Sequence, residues 1–463
     1  MVDILKEEES EKHGNLTMEL AYFINRTVFK DLPKEVVEKA KLHLRDGLGN
    51  ELAASKISES VKKAIELLRE FGGAEQAPAV GFGNKFPLPF ANMINAMMGH
   101  GVELDDAHSS ALTKAGSALV PTAMGTGYYL NKSGKEILTA LVIGYDVSVR
   151  IGKAINPSHR KKGYHTSGTA NTFGAAAIVA KLLDLDTEHI AWALGLAGMQ
   201  AAGIQAYLTD PCLAKPFSPG KAAFNGTLAA LLAYKGLSGP KKILEGPEGF
   251  FQAYTDEVRW TDFDGLGSQY IIMEVGFKPH AACRYAHGPI DAAQFIFEKY
   301  SPKLEEVKEI NVRMSPMAIR QSGRKKLQNL NTAMGSTPFG VVLALNYGEN
   351  NLNDYVKGFD LNGLRKITEN VNLIPVDWNG EAGRSAEVEV VMKNGEKYSH
   401  KVGGPKGDPD NPMSDIELKT KFEGLASLVL GNKDIDTLNS KLMKFEELTS
   451  VTDIMDIVSR SRK

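Results

Sequence analysis

Cysteine is scarce: Cys212 and Cys283 are the only two thiols in 463 residues. They lie far apart and form no CxxC pair, so neither a disulfide framework nor a zinc ribbon is expected. A reducing, cytoplasmic setting is the default. Long apolar runs are missing too. None reaches the roughly 20 residues that a helical membrane span needs. The first twelve residues are mostly charged and hold no apolar signal-peptide core. Charge of one sign is also lacking. The chain has 54 basic against 56 acidic residues, a net charge of −2. That gives no electrostatic case for a nucleic-acid or membrane partner. There is no GxGxxG after a strand, no GxxxxGK[ST], no GxSxG and no HExxH. Nucleotide binding, a serine-hydrolase elbow and a helical zinc motif therefore have no support.

What is present is ample apolar material. Hydrophobic residues make up 43% of the chain, enough for a full core without disulfide or metal. Helical spacing dominates up to about residue 266. Val36, Val37, Ala40, Leu44 and Leu48 mark one such face. Alternating stretches come later: Tyr270–Val275, Val307–Met314 and Ser385–Met392. The last leads into an Asn394-Gly395 hairpin turn and Glu396–Val402. The expected fold class is mainly α with a second α/β domain. A large, discontinuous, all-helical domain covers residues 1–266 and 404–463, and a smaller α/β domain covers 267–403. Residues 1–15 read as a polar tail.

The ionisable residues gather in few places. His100–His108 and Lys114 put three carboxylates, two imidazoles and an ammonium between apolar helices. Charges so placed cost free energy unless they are paired or used. The bland alternative is a solvated loop with aspartate caps. Gly163–Thr169 sets His165 before a turn that opens an Ala-rich helix, whose free N–H groups suit an anion. Lys215 and Lys221 flank a Pro/Gly-rich loop between two apolar helices, which taken alone reads as a solvated loop. Lys278–His287 gathers a lysine, two histidines, Arg284 and a thiol, without the spacing of a common zinc site. Ser336 starts a helix able to hold a carboxylate. The set is cationic and imidazole-rich, which suits a small polyanion with His or Lys moving protons beside a carboxylate.

In order along the chain, these segments resemble the MmgE/PrpD family, which includes 2-methylcitrate dehydratases, cis-aconitate decarboxylases and iminodisuccinate epimerases. Phe90–His108 is similar to the family's acidic segment and Gly163–Thr169 to its GxHxTGT. Lys215-Pro216 with Gly220–Leu232, then Leu244–Phe250, Cys283–Asp291 and Pro405–Pro412, match further motifs. Glu103, Ala107 and Lys114 stand where the family usually has Asp, Thr and His.

The resemblance implies a helical domain, a small α/β domain, a cleft between them, a homodimer, and neither metal nor cofactor. It places His165, Lys215 and His287 in the active site and matches Asp105 and Asp106 to the family's acidic pair. The expected activity is a cofactor-free lyase on a small di- or tricarboxylic acid, by proton abstraction α to a carboxylate and loss of water. The alternatives are an epimerase, a cis-aconitate-type decarboxylase, and a non-catalytic carboxylate-binding relative. The expected catalytic set is His165, His287, Lys215, Lys114 and Asp105. The expected substrate-binding set is Glu103, Asp106, His108, Arg284 and Ser336. For Lys114, a fixed carboxylate anchor is favoured over a base, because the acids nearby in sequence would raise its pKa.

Overall fold

The computed structural model describes residues 14–210, 212–378 and 383–460. Most of the expected polar tail lies outside them. Helices dominate. The longest are Lys34–Ile57, Gly134–Ile155, Phe217–Tyr234 and Thr166–Leu182. The predicted face of Lys34–Ile57 is buried throughout, from Val36 to Leu48. Thr166–Leu182 sits at the centre, packed by Gly134–Ile155 and Phe217–Tyr234. Small side chains make that closeness possible. A Cβ on Gly226 would stand 2.6 Å from the Ala175 Cβ, so even alanine would push these helices apart.

Strands form two units. β1 (Ala77–Pro78) and β2 (Lys85–Phe86) are a short antiparallel pair in the link before Leu88–His100. β3 (Val307–Met314), β4 (Val371–Pro375), β5 (Ala386–Met392) and β6 (Lys397–Val402) form one sheet in the order β4-β3-β5-β6. β3 runs parallel to β4, and β5 is antiparallel to both β3 and β6. The β5–β6 hairpin turns where expected. Gly395 has φ +93°, a conformation glycine adopts without strain. The helix His287–Tyr300 lies on β5 and β6 and also packs against Thr337–Tyr347. The chain is thus mainly helical with a small mixed sheet in its C-terminal part.

One expected strand is not there. Ile271–Glu274 is a single 3₁₀ turn. Its β-branched residues are buried, Ile271 and Ile272 among them, but among the described residues no strand pairs with them. Burial alone satisfied the apolar pattern.

After residue 403 the chain returns to the N-terminal helices. Ser414 caps Asp415–Ala426 by accepting from the Glu417 N–H. That helix packs on Lys34–Ile57. Lys421 Nζ lies 2.5 Å from Asp46 and 2.7 Å from the Leu104 carbonyl. Further on, the Val458 carbonyl accepts from the Gly81 N–H and the Leu448 carbonyl from the Gly134 N–H.

Candidate active site

A cleft of about 1070 Å³, open mouth included, lies between segments from both halves of the chain. Its walls carry Lys114, Arg160, Lys215, Arg284, Arg324 and Arg384, with His108, Tyr207 and both cysteines, and among the described residues no carboxylate. The loop that leads into it is tightly held. After Leu88–His100, Glu103 takes a left-handed conformation (φ +55°), uncommon for a residue with a Cβ. Ala107 then pairs with Gly276 through two backbone hydrogen bonds, 2.9 and 3.0 Å. Lys114 is fixed through its backbone. Its N–H goes to Ser167 Oγ, and its carbonyl accepts from Ser117 and Asn171.

The acids of this loop turn away from the cleft. Asp105 meets His100 Nδ1 at 2.6 Å and Lys278 Nζ at 3.1 Å. Glu103 contacts Lys215 Nζ, with His100 Nε2 and Lys278 Nζ each 3.5 Å away. Lys278 is fully buried and donates to the Glu103 carbonyl as well. Two carboxylates and two ammoniums thus neutralise one another inside the protein. Burial opposes ionisation of both acids. The cations outweigh it and hold Glu103 and Asp105 below their ordinary values. Asp106 belongs to a separate buried set. It accepts from the Gly116 N–H at 2.9 Å and from Tyr145 OH, with His43 Nδ1 3.0 Å away.

Lys114 and Lys215 behave differently. Burial lowers Lys215, but Glu103 more than offsets that and leaves it above the usual lysine range. Lys114 has no carboxylate beside it among the described residues. Burial, then Lys215, Lys278 and Arg160, lower it to about 8. This corrects the expectation that neighbouring acids would raise it. They are near in sequence but paired elsewhere in space.

The histidines divide in the same way. His165 is the residue before Thr166–Leu182 and is fully buried. Neither ring nitrogen has a hydrogen-bond partner among the described residues. Tyr207 meets it edge-on at 5.5 Å. Burial, with Arg160 and Lys114 next, keeps it well below its ordinary pKa, so the ring is neutral at pH 7. His287 has both nitrogens engaged, Nδ1 accepting from Arg284 at 3.0 Å and Nε2 donating to the Ala282 carbonyl. Arg284 also meets Asp408 at 2.7 Å, and Arg384 meets the same oxygen at 3.1 Å. His108 lines the cleft and pairs with Glu274 at 3.1 Å. Ser336 caps Thr337–Tyr347 and donates to the Arg324 carbonyl. It stands one residue from the wall at Gly335.

Of the residues singled out from sequence, Lys114, His108, Lys215 and Arg284 line the cleft. His165, His287, Glu103, Asp105, Asp106 and Ser336 stand behind it. Arg160, Arg324, Arg384 and Tyr207 were not singled out. Arg160 had a faint signal, the basic run Arg160-Lys161-Lys162 just before Gly163. Arg324 had the same kind of signal, the run Arg324-Lys325-Lys326, and Arg384 had none. His100, Glu103 and Asp105 form a group whose ligand atoms lie within 4.8 Å of one another, compact enough for a cation. Lys215 and Lys278 already supply that positive charge, so the donor set does not fit a metal ion well.

The sequence of the first half matches the model of the MmgE/PrpD N-terminal domain over residues 18–262. The MmgE/PrpD C-terminal domain matches residues 280–442. The chain belongs to the MmgE/PrpD family. Within the family it is similar to a cis-aconitate decarboxylase-like protein, oryM, of Aspergillus oryzae. The two are 26% identical over 97% of this chain and 98% of that one. The cis-aconitate decarboxylase of Aspergillus terreus is 24% identical over 97% of both chains. That of Mus musculus is 24% identical over 79% of this chain and 77% of its own. These relatives are enzymes by name, and a cleft lined by ionisable groups fits an enzyme here too. No helix among the described residues is long and apolar enough to cross a membrane.

Proposed function

We propose that the protein is a lyase acting on a small polycarboxylate through a carbanion held as its aci-carboxylate. One observation carries this reading: among the described residues, six cations and no carboxylate line the cleft. A polyanion is drawn into such a site and held there. Charge that develops on a carboxylate next to the reacting carbon meets Lys215, whose own proton is secured by Glu103.

Loss of CO2 is the first reaction to test, because the relatives over the whole chain are named for it. The bond to the departing carboxylate breaks, and its electron pair passes to the neighbouring unsaturated carboxylate. Lys114, mostly protonated at pH 7, then returns a proton to carbon. A second reading, isomerisation or water loss, is favoured by the same lysine. A pKa of about 8 lets it take an α-proton as well as give one, and neutral His165 is a second acceptor behind the wall. His287 and Asp105 act in this scheme by holding Arg284 and Lys278.

The test is incubation with cis-aconitate-, citrate- and malate-type acids in D₂O, followed by proton NMR. CO2 release with deuterium entering the product supports the first reading. Exchange without loss of carbon or water supports isomerisation. No change in any of these acids would remove the lyase proposal.

A further inference from the structure

The cleft wall carries two lysines, and only one of them has its amine engaged. Lys215 Nζ is paired with Glu103. Lys114 is held through its backbone alone. Its N–H goes to Ser167 Oγ at 3.0 Å, and its carbonyl accepts from Ser117 Oγ at 2.7 Å and Asn171 Nδ2 at 2.9 Å. Its Nζ meets no hydrogen-bond acceptor and no carboxylate among the described residues. Lys114 is thus fixed at its root and unengaged at its tip, on the wall of a cleft of about 1070 Å³, open mouth included.

The surroundings make that amine a nucleophile. Burial opposes its charge, and Lys215, Lys278 and Arg160 add repulsion, so it gives up its proton at about 8 rather than 10.5. A primary amine desolvated beside other cations is available near neutral pH to attack a carbonyl carbon. Lys215 cannot do this, because Glu103 keeps its proton on. Lys278 is fully buried and bound to Asp105. Arg160 and Arg324 line the same cleft, so a ketone that carries a carboxylate is drawn toward Lys114. Tyr207 lines it too, and burial keeps its phenol protonated.

We propose that Lys114 forms an imine with small 2-oxo acids and, where a second carboxylate lies β to the ketone, expels it as CO2. The amine nitrogen bonds to the ketone carbon. The ketone oxygen leaves as water after taking two protons, of which Tyr207 can relay one. In sum, an ammonium and a ketone give an iminium and one water, with no oxidant or co-reactant. The bond to the β-carboxylate then breaks. Its electron pair becomes the C=C of an enamine, while the iminium π pair moves onto nitrogen. A proton from solvent restores the iminium, and water hydrolyses it to release the new ketone and Lys114. This activity shares only the cationic cleft with the lyase reading. It needs a ketone, and it makes Lys114 a covalent catalyst rather than a proton donor.

Reductive trapping tests the imine. The wild type and Lys114→Arg are incubated near pH 8 with 2-oxoglutarate and sodium cyanoborohydride, and intact mass and peptide map are read. The wild type should gain one reduced adduct per chain, on the peptide that carries Lys114. Lys114→Arg should cut the yield at least about tenfold. The wild-type map locates the adduct by itself, so the test stands even if the variant fails to fold. Oxaloacetate, whose second carboxylate is β to the ketone, tests the turnover. With a chelator present to suppress metal-catalysed loss of CO2, the wild type should release CO2 at least about tenfold faster than buffer, and Lys114→Arg no faster than buffer. Adducts scattered over other lysines, or none, would overturn the imine. Equal CO2 release from the wild type and Lys114→Arg would overturn the decarboxylation. The acids of the proton NMR test hold no ketone, so the lyase reading stands or falls separately.

Discussion

Lys114 and Lys215 line the same cleft and are displaced in opposite directions. Glu103 keeps Lys215 charged, while Lys114, without a carboxylate of its own, is lowered to about 8. Within the proposed mechanism this divides the labour: Lys215 is a permanent cation, and Lys114 exchanges its proton.

The pH profile follows. If Lys114 donates the proton in the decisive step, kcat/KM falls as pH rises through about 8. Lys114→Arg keeps the charge but cannot release a proton near neutrality. We expect kcat to drop about 100-fold or more, KM to change little, and the limb near 8 to vanish. Steady-state rates from pH 6 to 10 on the acid identified by NMR would show this. A Lys114→Arg enzyme with near-normal turnover would make Lys114 an anchor instead.

Glu103→Gln should be costly for a different reason. It leaves Lys278 with Asp105 alone and Lys215 with no carboxylate beside it. Removing one partner of a buried ion pair costs about 3–5 kcal/mol. Chemical denaturation should register a loss of that order.

Acid should act on the same network. Glu103 and Asp105 are lowered from ordinary values of 4.5 and 3.8. Their contribution is complete above those values and is lost as pH falls through the lower folded-state values. Between pH 5 and pH 3, Lys278→Met should therefore show a shallower loss of stability than the wild type. Equal slopes would mean that the network does not govern acid unfolding.

Glu51 carries the opposite sign. It is 1% exposed, and neither carboxylate oxygen has a hydrogen-bond partner among the described residues. Burial raises its pKa well above the ordinary 4.5. The stability linked to its protonation is complete below 4.5 and is lost as pH rises toward the folded-state value. Glu51→Met should gain about 1–3 kcal/mol at pH 8 and less at pH 5. Urea midpoints at the two pH values test it.

Gly116 lies two residues beyond Lys114. A Cβ there would stand 2.7 Å from Asp106 Oδ2 and from Tyr145 OH. Both atoms are bonded to each other and buried, so they cannot simply move aside. Gly116→Ala should cost about 1–3 kcal/mol and lower kcat through displacement of Lys114. A variant with wild-type melting temperature and turnover would show that the Asp106 set does not position the lysine.

The sequence by itself determined the periodic parts of this protein. Val307–Met314 was legible to the residue, because a paired strand turns spacing into direction. Order and motif also made the family legible, and with it the loops that bring His165, Lys114 and Lys215 together. Tyr270–Val275 failed as a strand because its apolar pattern carries no information about a pairing partner. The tertiary structure alone decided which ionisable groups face the cleft. In the irregular loop 100–108, neighbouring side chains have no fixed relative direction. Glu103 finds its counter-charge 112 residues away and Asp105 finds one 173 away. Of the acids that looked like Lys114's partners, Glu103 and Asp105 are taken by Lys215 and Lys278 and Asp106 by Tyr145, and that pairing leaves Lys114 with no carboxylate beside it among the described residues.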